Sequence, residues 1–351
     1  MAIREVGPGK TYATIAAAAA AASDGDTIEC FFDTVDTSFL FEPPAVTIQA
    51  AVGFSPKWLV AGGYLTTCIR ALTVDGLEIG HTGNFNTQFF NAVAYAAAGF
   101  GVTLKNCVLN PYTGTPGIMS ANVQAVGSVP MSLTLINCTM SDPADQLGGI
   151  MAVSGASGTK LCKGTLHVDG CTLKTNGIRT VSANGLFVEQ HITDSIIQVV
   201  LNDGANNDFD TGSTLTLHQS ILDGLTTATG LMTADCAKTT VDVKASYFMR
   251  CDETAVSLTN CVAGDQFVDC AFVDNVTAIS AANTVTDHCL FDNNTVDYAG
   301  GGALDATDLT GTVTFNDLAN GDYSPTDLSD TIDAGIDVGF VTDLVGEATP
   351  Q

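Results

Sequence analysis

Basic residues are scarce in this chain. It carries 12 Lys and Arg against 38 Asp and Glu, a formal net charge of −26, and no Lys or Arg follows Arg250. Such a surface repels phosphate backbones, which excludes nucleic acid as a partner. It attracts cations, but its first effect is to keep a large apolar protein dispersed. Aromatic residues make up only 7% of the chain, with one Trp, so there are few candidates for sugar-stacking platforms. No apolar run is long enough to span a membrane. The opening "MAIREVGPGK" lacks the apolar centre of a secretory signal, so synthesis in a cytoplasm without general export is expected. CxxC spacing is absent, which speaks against zinc. The count of 11 cysteines is odd, and without an export signal it argues against a disulfide framework. The helix formers Glu, Gln, Lys and Arg are few. Ala, Gly, Thr, Val, Asn and Asp abound, which is strand and turn chemistry.

One phrase recurs through the chain: apolar-x-x-small-x-apolar. It reads "VDGLEI" at Leu77, "LKNCVL" at Cys107, "LINCTM" at Cys138 and "VDGCTL" at Cys171. It continues as "ITDSII" at Ser195, "LHQSIL" at Ser220, "VKASYF" at Ser246, "FVDCAF" at Cys270 and "TDHCLF" at Cys289. The steps are 30, 31, 33, 24, 25, 26, 24 and 19 residues. A period of this size marks a solenoid, propeller or array. Each unit has alternating apolar residues of strand type and then a turn residue, with no 3.6-residue helical pattern. Short strands joined by turns, one coil stacked on the next, describe a parallel β-helix. Equivalent residues of successive coils then lie about 4.8 Å apart. The recurring Cys and Ser predict an internal stack of small side chains at Cys107, Cys138, Cys171, Ser195, Ser220, Ser246, Cys270 and Cys289. At that spacing the thiols are expected to stay unbridged.

The whole chain, 1–351, reads as a single β-helix domain. An Ala-rich capping helix is expected over about 11–26, coils over about 27–299, and an irregular cap and tail over about 300–351. "GKTYATIAAAAAAASDGDTIE" resembles the entry of pectin-lyase-like right-handed β-helix proteins, and "NGDYSPTDLSDTIDAGIDVG" resembles their close. The resemblance covers nearly the whole chain and implies an all-β, single-stranded right-handed parallel β-helix. It is almost silent about function, because this fold hosts lyases, hydrolases, adhesins and virus spikes.

The catalytic strings of the lyases and hydrolases of that superfamily are absent. The richest acidic stretch is "NDGANNDFDTG" (202–212). It reads best as a solvated turn. Its alternatives are a carboxylate pair, Asp208 and Asp210, on one strand face, and a Ca²⁺ site from Asp203, Asp208 and Asp210. No other cofactor is implied. The five histidines, His81, His167, His191, His218 and His288, fall at different points of their coils and read as structural. Trp58 and Tyr64, in an irregular stretch between early coils, are the candidates for glycan contact.

By resemblance and elimination, the expected function is a non-enzymatic virion component of a tailed phage, a capsid decoration or tail appendage. Its partners would be other virion proteins and host-surface polysaccharide, with no nucleic acid and no membrane, as a monomer or homotrimer. The alternatives are a polysaccharide lyase or hydrolase, including a tailspike depolymerase, and a glycan-binding adhesin.

Overall fold

The computed structural model describes residues 1–36, 45–61, 66–68, 70–82, 90–93, 100–110, 119–123, 131–140, 151–155, 162–175, 186–199, 205–207, 213–237, 239–264, 266–320 and 322–326. The chain forms two compact units, Met1–Gln190 and His191–Gln351. Each is built from parallel sheets stacked coil upon coil, the right-handed parallel β-helix expected from the repeat.

In the first unit, one sheet (A) joins Ile3–Val6, Thr27–Cys30, Val46–Ala50, Leu72–Asp75, Phe100–Lys105, Met131–Ile136 and Cys162–Asp169 in that order. A second sheet (B) joins Thr34–Asp36, Lys57–Val60, Glu78–His81, Val108–Asn110, Thr139–Met140 and Thr172–Thr175. A third (C) joins Thr66–Cys68, Phe90–Val93, Met119–Val123 and Met151–Gly155. Registers are strict: Val102 pairs with Leu133 and that with Leu166, while Leu104 pairs with Leu135 and that with Val168. All six are fully buried. Each such side chain contributes roughly 1.5–3 kcal/mol on leaving water.

The second unit repeats the plan. Its A strands are Ser213–His218, Thr239–Lys244, Phe267–Val268 and Thr286–Asp287. Its B strands are Ile196–Val199, Ile221–Asp223, Tyr247–Met249, Ala271–Val273, Leu290–Asp292 and Leu309–Thr310. Its C strands are Ala205–Asn207, Gly230–Asp235, Thr254–Thr259, Thr277–Ser280 and Val296–Ala299. Phe248, Phe272 and Phe291 stack face to face in the interior, with ring centroids 5.2 and 5.0 Å apart.

The recurring phrase is the bend from an A strand to a B strand. The residue before each Cys or Ser has a left-handed backbone: Asn106, Asn137, Asp194, Gln219, Ala245, Asp269 and His288 at φ 47–54°, and Gly170 at 60°. Asn, Asp and Gly tolerate that region best. The small residue that follows then ties the bend together. Ser220 Oγ donates to the His218 carbonyl (2.8 Å) and accepts from Ser195 N of the preceding coil (3.2 Å). Ser246 Oγ does the same with Lys244 O (2.8 Å) and Ser220 N (3.2 Å). In the first unit Cys171 Sγ accepts from Cys138 N (3.3 Å) and lies 3.2 Å from Asp169 O. Cys and Ser replace one another at this position because each is small and both accepts and donates. All eight stack residues are buried. Burial pushes the Cys289 thiol up, and hydrogen bonding to Cys138 together with burial does so for Cys107. The series ends where Asp308 Oδ1 takes the Cys289 N–H (2.9 Å).

The capping helix is shorter than the Ala run suggests, spanning Ile15–Ala20. Thr14 caps it by accepting from Ala17 N, and Ile15, Ala18 and Ala19 are buried. At the other end, the described part of the expected irregular cap is ordered. Leu309–Thr310 is the last B strand, and Phe315–Asp317 pairs antiparallel with Asp322–Pro325. The stack cysteines Cys107, Cys138, Cys171, Cys270 and Cys289 are unbridged, as their spacing predicts. The argument against disulfides fails at one place outside the stack, where Cys236 and Cys261 are disulfide-bonded with Cα atoms 4.8 Å apart.

Candidate functional site

A buried polar cluster of the second unit centres on Asp223, the last residue of a B strand. Its carboxylate is fully buried and faces outward from the strand, opposite to inward Leu222. Arg250, from the next coil's bend, grips it with both Nε (2.8 Å) and Nη2. Tyr323, a hundred residues away in sequence, donates its hydroxyl to Oδ2 (2.7 Å). Leu225 N donates to Oδ1 (2.9 Å), and Gln198 Nε2 donates to the Tyr323 hydroxyl (2.9 Å). Burial is the largest single influence and works against the Arg250 charge, but the hydrogen bond and charge of Asp223, together with Tyr323, outweigh it, so the pKa is raised. Burial and the adjacent carboxylate push Tyr323 up to about 12, which keeps it a donor at neutral pH. Both oxygens of Asp223 are thus committed to the fold.

Two more clusters lie on the outer side of the A strands of this unit. Asp242 is bracketed by His218 Nε2 (3.1 Å) and Lys244 Nζ (3.2 Å). His288 Nδ1 meets Asp287 Oδ1 (2.7 Å), which also accepts from Thr307 Oγ1 (2.7 Å). These are partly exposed polar contacts on a sheet surface, and contacts of this kind are worth little to stability.

In the first unit, Asp36 is a buried carboxylate that accepts from Trp58 Nε1 (3.0 Å). Burial raises its pKa, against the hydrogen bonds from Trp58, Ala16 N and Thr14. Near it, burial pushes the Cys30 thiol up to about 12. Asp26 accepts from Ala2 N (2.6 Å), Ser23 N (3.0 Å) and Arg4 (2.8 and 3.0 Å). The Ser23 and Ala2 amides, then Arg4, pull its pKa down to about 2. Beside it an open groove of about 340 Å³ is lined by Ile3, Arg4, Glu5, Thr11, Tyr12 and Glu29. Its Arg4 is already engaged by Asp26 and Tyr12, and its Glu5 by Lys10.

Of the residues singled out from sequence, Trp58 is corrected. It is 0% exposed, because it fills the interior of an early coil, and it presents no ring to a glycan. Phe54, on the same stretch, is the exposed ring at 43%. Tyr64, Asp203, Asp208 and Asp210 lie outside the described residues. Within the acidic stretch, Ala205–Asn207 is a C strand paired with Gly230–Asp235, so a turn does not describe the whole of it. Among the described residues, no three His, Cys, Asp or Glu side chains converge as metal ligands.

Sequence reasoning missed Asp223, Arg250 and Tyr323. It also missed a second series at the B-to-C bends, where Cys251 N donates to Asn275 Oδ1 and Asn275 N to Asn294 Oδ1, each at 3.0 Å. The signal for that series was present: Arg250, Asp274 and Asn293 precede these residues with φ of 51–56°. No protein-family model matches the chain, and no curated protein matches it in sequence.

Proposed function

We propose that this protein is a non-enzymatic structural or accessory component of a virus particle, a capsid decoration or tail appendage of a tailed phage. The observation that supports this reading is where the buried polar groups go. Asp36, Asp223, Asn275 and the Cys and Ser of the bends are spent on holding coil to coil and cap to coil. Such a scaffold is stiff, and its acidic surface stays soluble at the high copy number that a particle component reaches. Particles purified from the producing culture test the reading. Peptide mass spectrometry and gold-labelled antibody should find the protein at regular positions on heads or tails. Its recovery only as free protein in the lysate would overturn it.

Glycan binding is the second reading, favoured by one feature of the first unit. Phe32 and Phe54 are 48% and 43% exposed, with ring centroids 6.1 Å apart, and Phe31 packs edge-on against Phe54 at 5.3 Å. Exposed rings side by side stack on the apolar faces of sugars. A glycan array followed by titration should then show saturable binding that Phe32→Ala and Phe54→Ala abolish.

A further inference from the structure

Cysteines of neighbouring coils meet in two different ways. In the stack the thiols stand level, one per coil. Val108 pairs with Thr139 and Thr139 with Thr172, which sets Cys107, Cys138 and Cys171 at one position of successive bends. Their Cβ atoms run parallel about 4.8 Å apart, beyond the reach of a relaxed bridge. Cys236 and Cys261 are staggered. Asp235 pairs with Thr259, and Cys236 N donates to the Thr259 carbonyl (2.9 Å), so Cys236 is level with Asn260 and Cys261 lies one residue further on. Asn260 has a left-handed backbone (φ 56°), and its Nδ2 donates to Asp235 Oδ1 (3.0 Å). The extra residue bends the chain so that the two sulfurs meet in a disulfide.

The two partners differ in access. Cys236 is half-buried beside exposed Ala237, whereas Cys261 is 4% exposed. Among the described residues seven other cysteines are free, and all seven are buried. Thiol chemistry with a molecule from solvent is thereby directed to Cys236.

We propose that Cys236 is an S-thiolation site and that Cys261 resolves its adduct, so that low-molecular-weight disulfides and thiols close and open this bridge. In closing, the Cys236 thiolate attacks one sulfur of the small disulfide, forms a mixed disulfide and expels one thiolate, which takes up a proton. Cys261 gives its proton to water, and its thiolate attacks the Cys236 sulfur and expels the second thiolate. One protein dithiol and one small disulfide become one protein disulfide and two small thiols, and two electrons pass from the protein to the reagent. Opening runs in reverse, with the external thiolate attacking at Cys236. The closed bridge ties the ends of Gly230–Asp235 and Thr254–Thr259 across a sequence separation of 25 residues, which restricts the unfolded chain.

The test uses hydroxyethyl disulfide, a neutral probe, because Asp235 and the acidic surface repel anions. The purified protein is reduced while folded, freed of reductant and exposed to the probe. Timed samples are quenched in acid and adducts located by peptide mass mapping. Wild type should end with Cys236 and Cys261 bridged and the five stack thiols untouched. Cys261→Ser should stop at a stable adduct on Cys236, and Cys236→Ser should leave Cys261 unmodified over the same interval. The thermal midpoint of wild type should rise by several degrees on closing and fall again with dithiothreitol, a shift that neither serine variant shows. If a serine variant fails to fold, the wild-type time course decides alone, since the adduct must form on Cys236 before the bridge closes. The proposal is overturned if Cys261 is thiolated as fast as Cys236, if the stack cysteines react first, or if wild type keeps its adduct without bridging. It is equally overturned if dithiothreitol leaves the bridge of the folded protein intact, or if the midpoint ignores closing.

Discussion

The indole Nε1 of Trp58 donates a 3.0 Å hydrogen bond to Oδ2 of Asp36, both of them buried in adjacent coils of the first unit. Ala16 and Thr14, at the start of the capping helix, pull the Asp36 pKa down against burial. The single tryptophan of the chain is spent on tying two coils together at this carboxylate.

Trp58→Phe should therefore cost about 1–3 kcal/mol at neutral pH, because it leaves a buried carboxylate short of a donor. The sign of the pH dependence follows from the raised pKa of Asp36. A group with a raised folded pKa favours folding at low pH and loses that advantage as pH rises through the folded value. Removing the Trp58 donor raises that value further. The deficit of the variant, measured by urea unfolding, should thus shrink as pH falls toward the ordinary aspartate range. A deficit that is the same at every pH would show that Asp36 does not titrate against this bond.

Asp26 behaves oppositely. Its pKa is held down to about 2 by Ser23 N and Ala2 N, and then by Arg4. Its contribution is present above the ordinary aspartate value and is lost as pH falls toward about 2. Asp26→Asn should flatten the fall of thermal midpoint in that acid window while leaving its slope near neutral pH unchanged. Parallel curves for the two proteins would remove Asp26 from the acid transition.

The bends give a chemical test. Ser220→Ala removes the acceptor of Ser195 N and the donor to His218 O, and should cost about 1–3 kcal/mol. Ser220→Cys keeps both functions and should cost less than the alanine variant in the same urea titration. If Ala and Cys are equal, the position selects for size alone. Native thiol labelling supplies a parallel measurement: Cys107, Cys138, Cys171, Cys270 and Cys289 should react only at the rate of unfolding.

The coils were legible because a solenoid writes its geometry once per period. Each apolar-x-x-small-x-apolar phrase is one A strand, one left-handed residue and one B strand, and the eye needs only the spacing. The smallness of Cys and Ser was legible too, but their hydrogen bonds were not, because spacing says nothing of which carbonyl a side chain meets. Trp58 looked exposed since "FSPKWLVAGGYL" is rich in turn residues, yet Lys57–Val60 is a B strand whose second residue points inward. Tyr323 and Asp223 were invisible as partners because their contact spans a hundred residues and follows no period. The clue that went unused was the double apolar character of "YFM" and "AFV", which demanded a cover from elsewhere in the chain.

The segment that carries Tyr323 is tied to the coils through the Asp223 and Arg250 pair. Arg250→Ala leaves a fully buried carboxylate with Tyr323 and Leu225 N as its remaining donors, and it should cost about 3–5 kcal/mol by urea unfolding. Hydrogen exchange should show Asp322–Pro325 losing protection before the coils do, since Tyr323 is held through Asp223. Replacing both charged residues, as Asp223→Leu with Arg250→Met, removes the burial penalty along with the pair. The double variant should recover most of the loss and retain a deficit of about 1 kcal/mol, because Tyr323 and Leu225 N no longer have an acceptor. A loss below about 1 kcal/mol for Arg250→Ala alone would mean that the apolar packing around Tyr323 holds the segment and the ion pair merely rides on it.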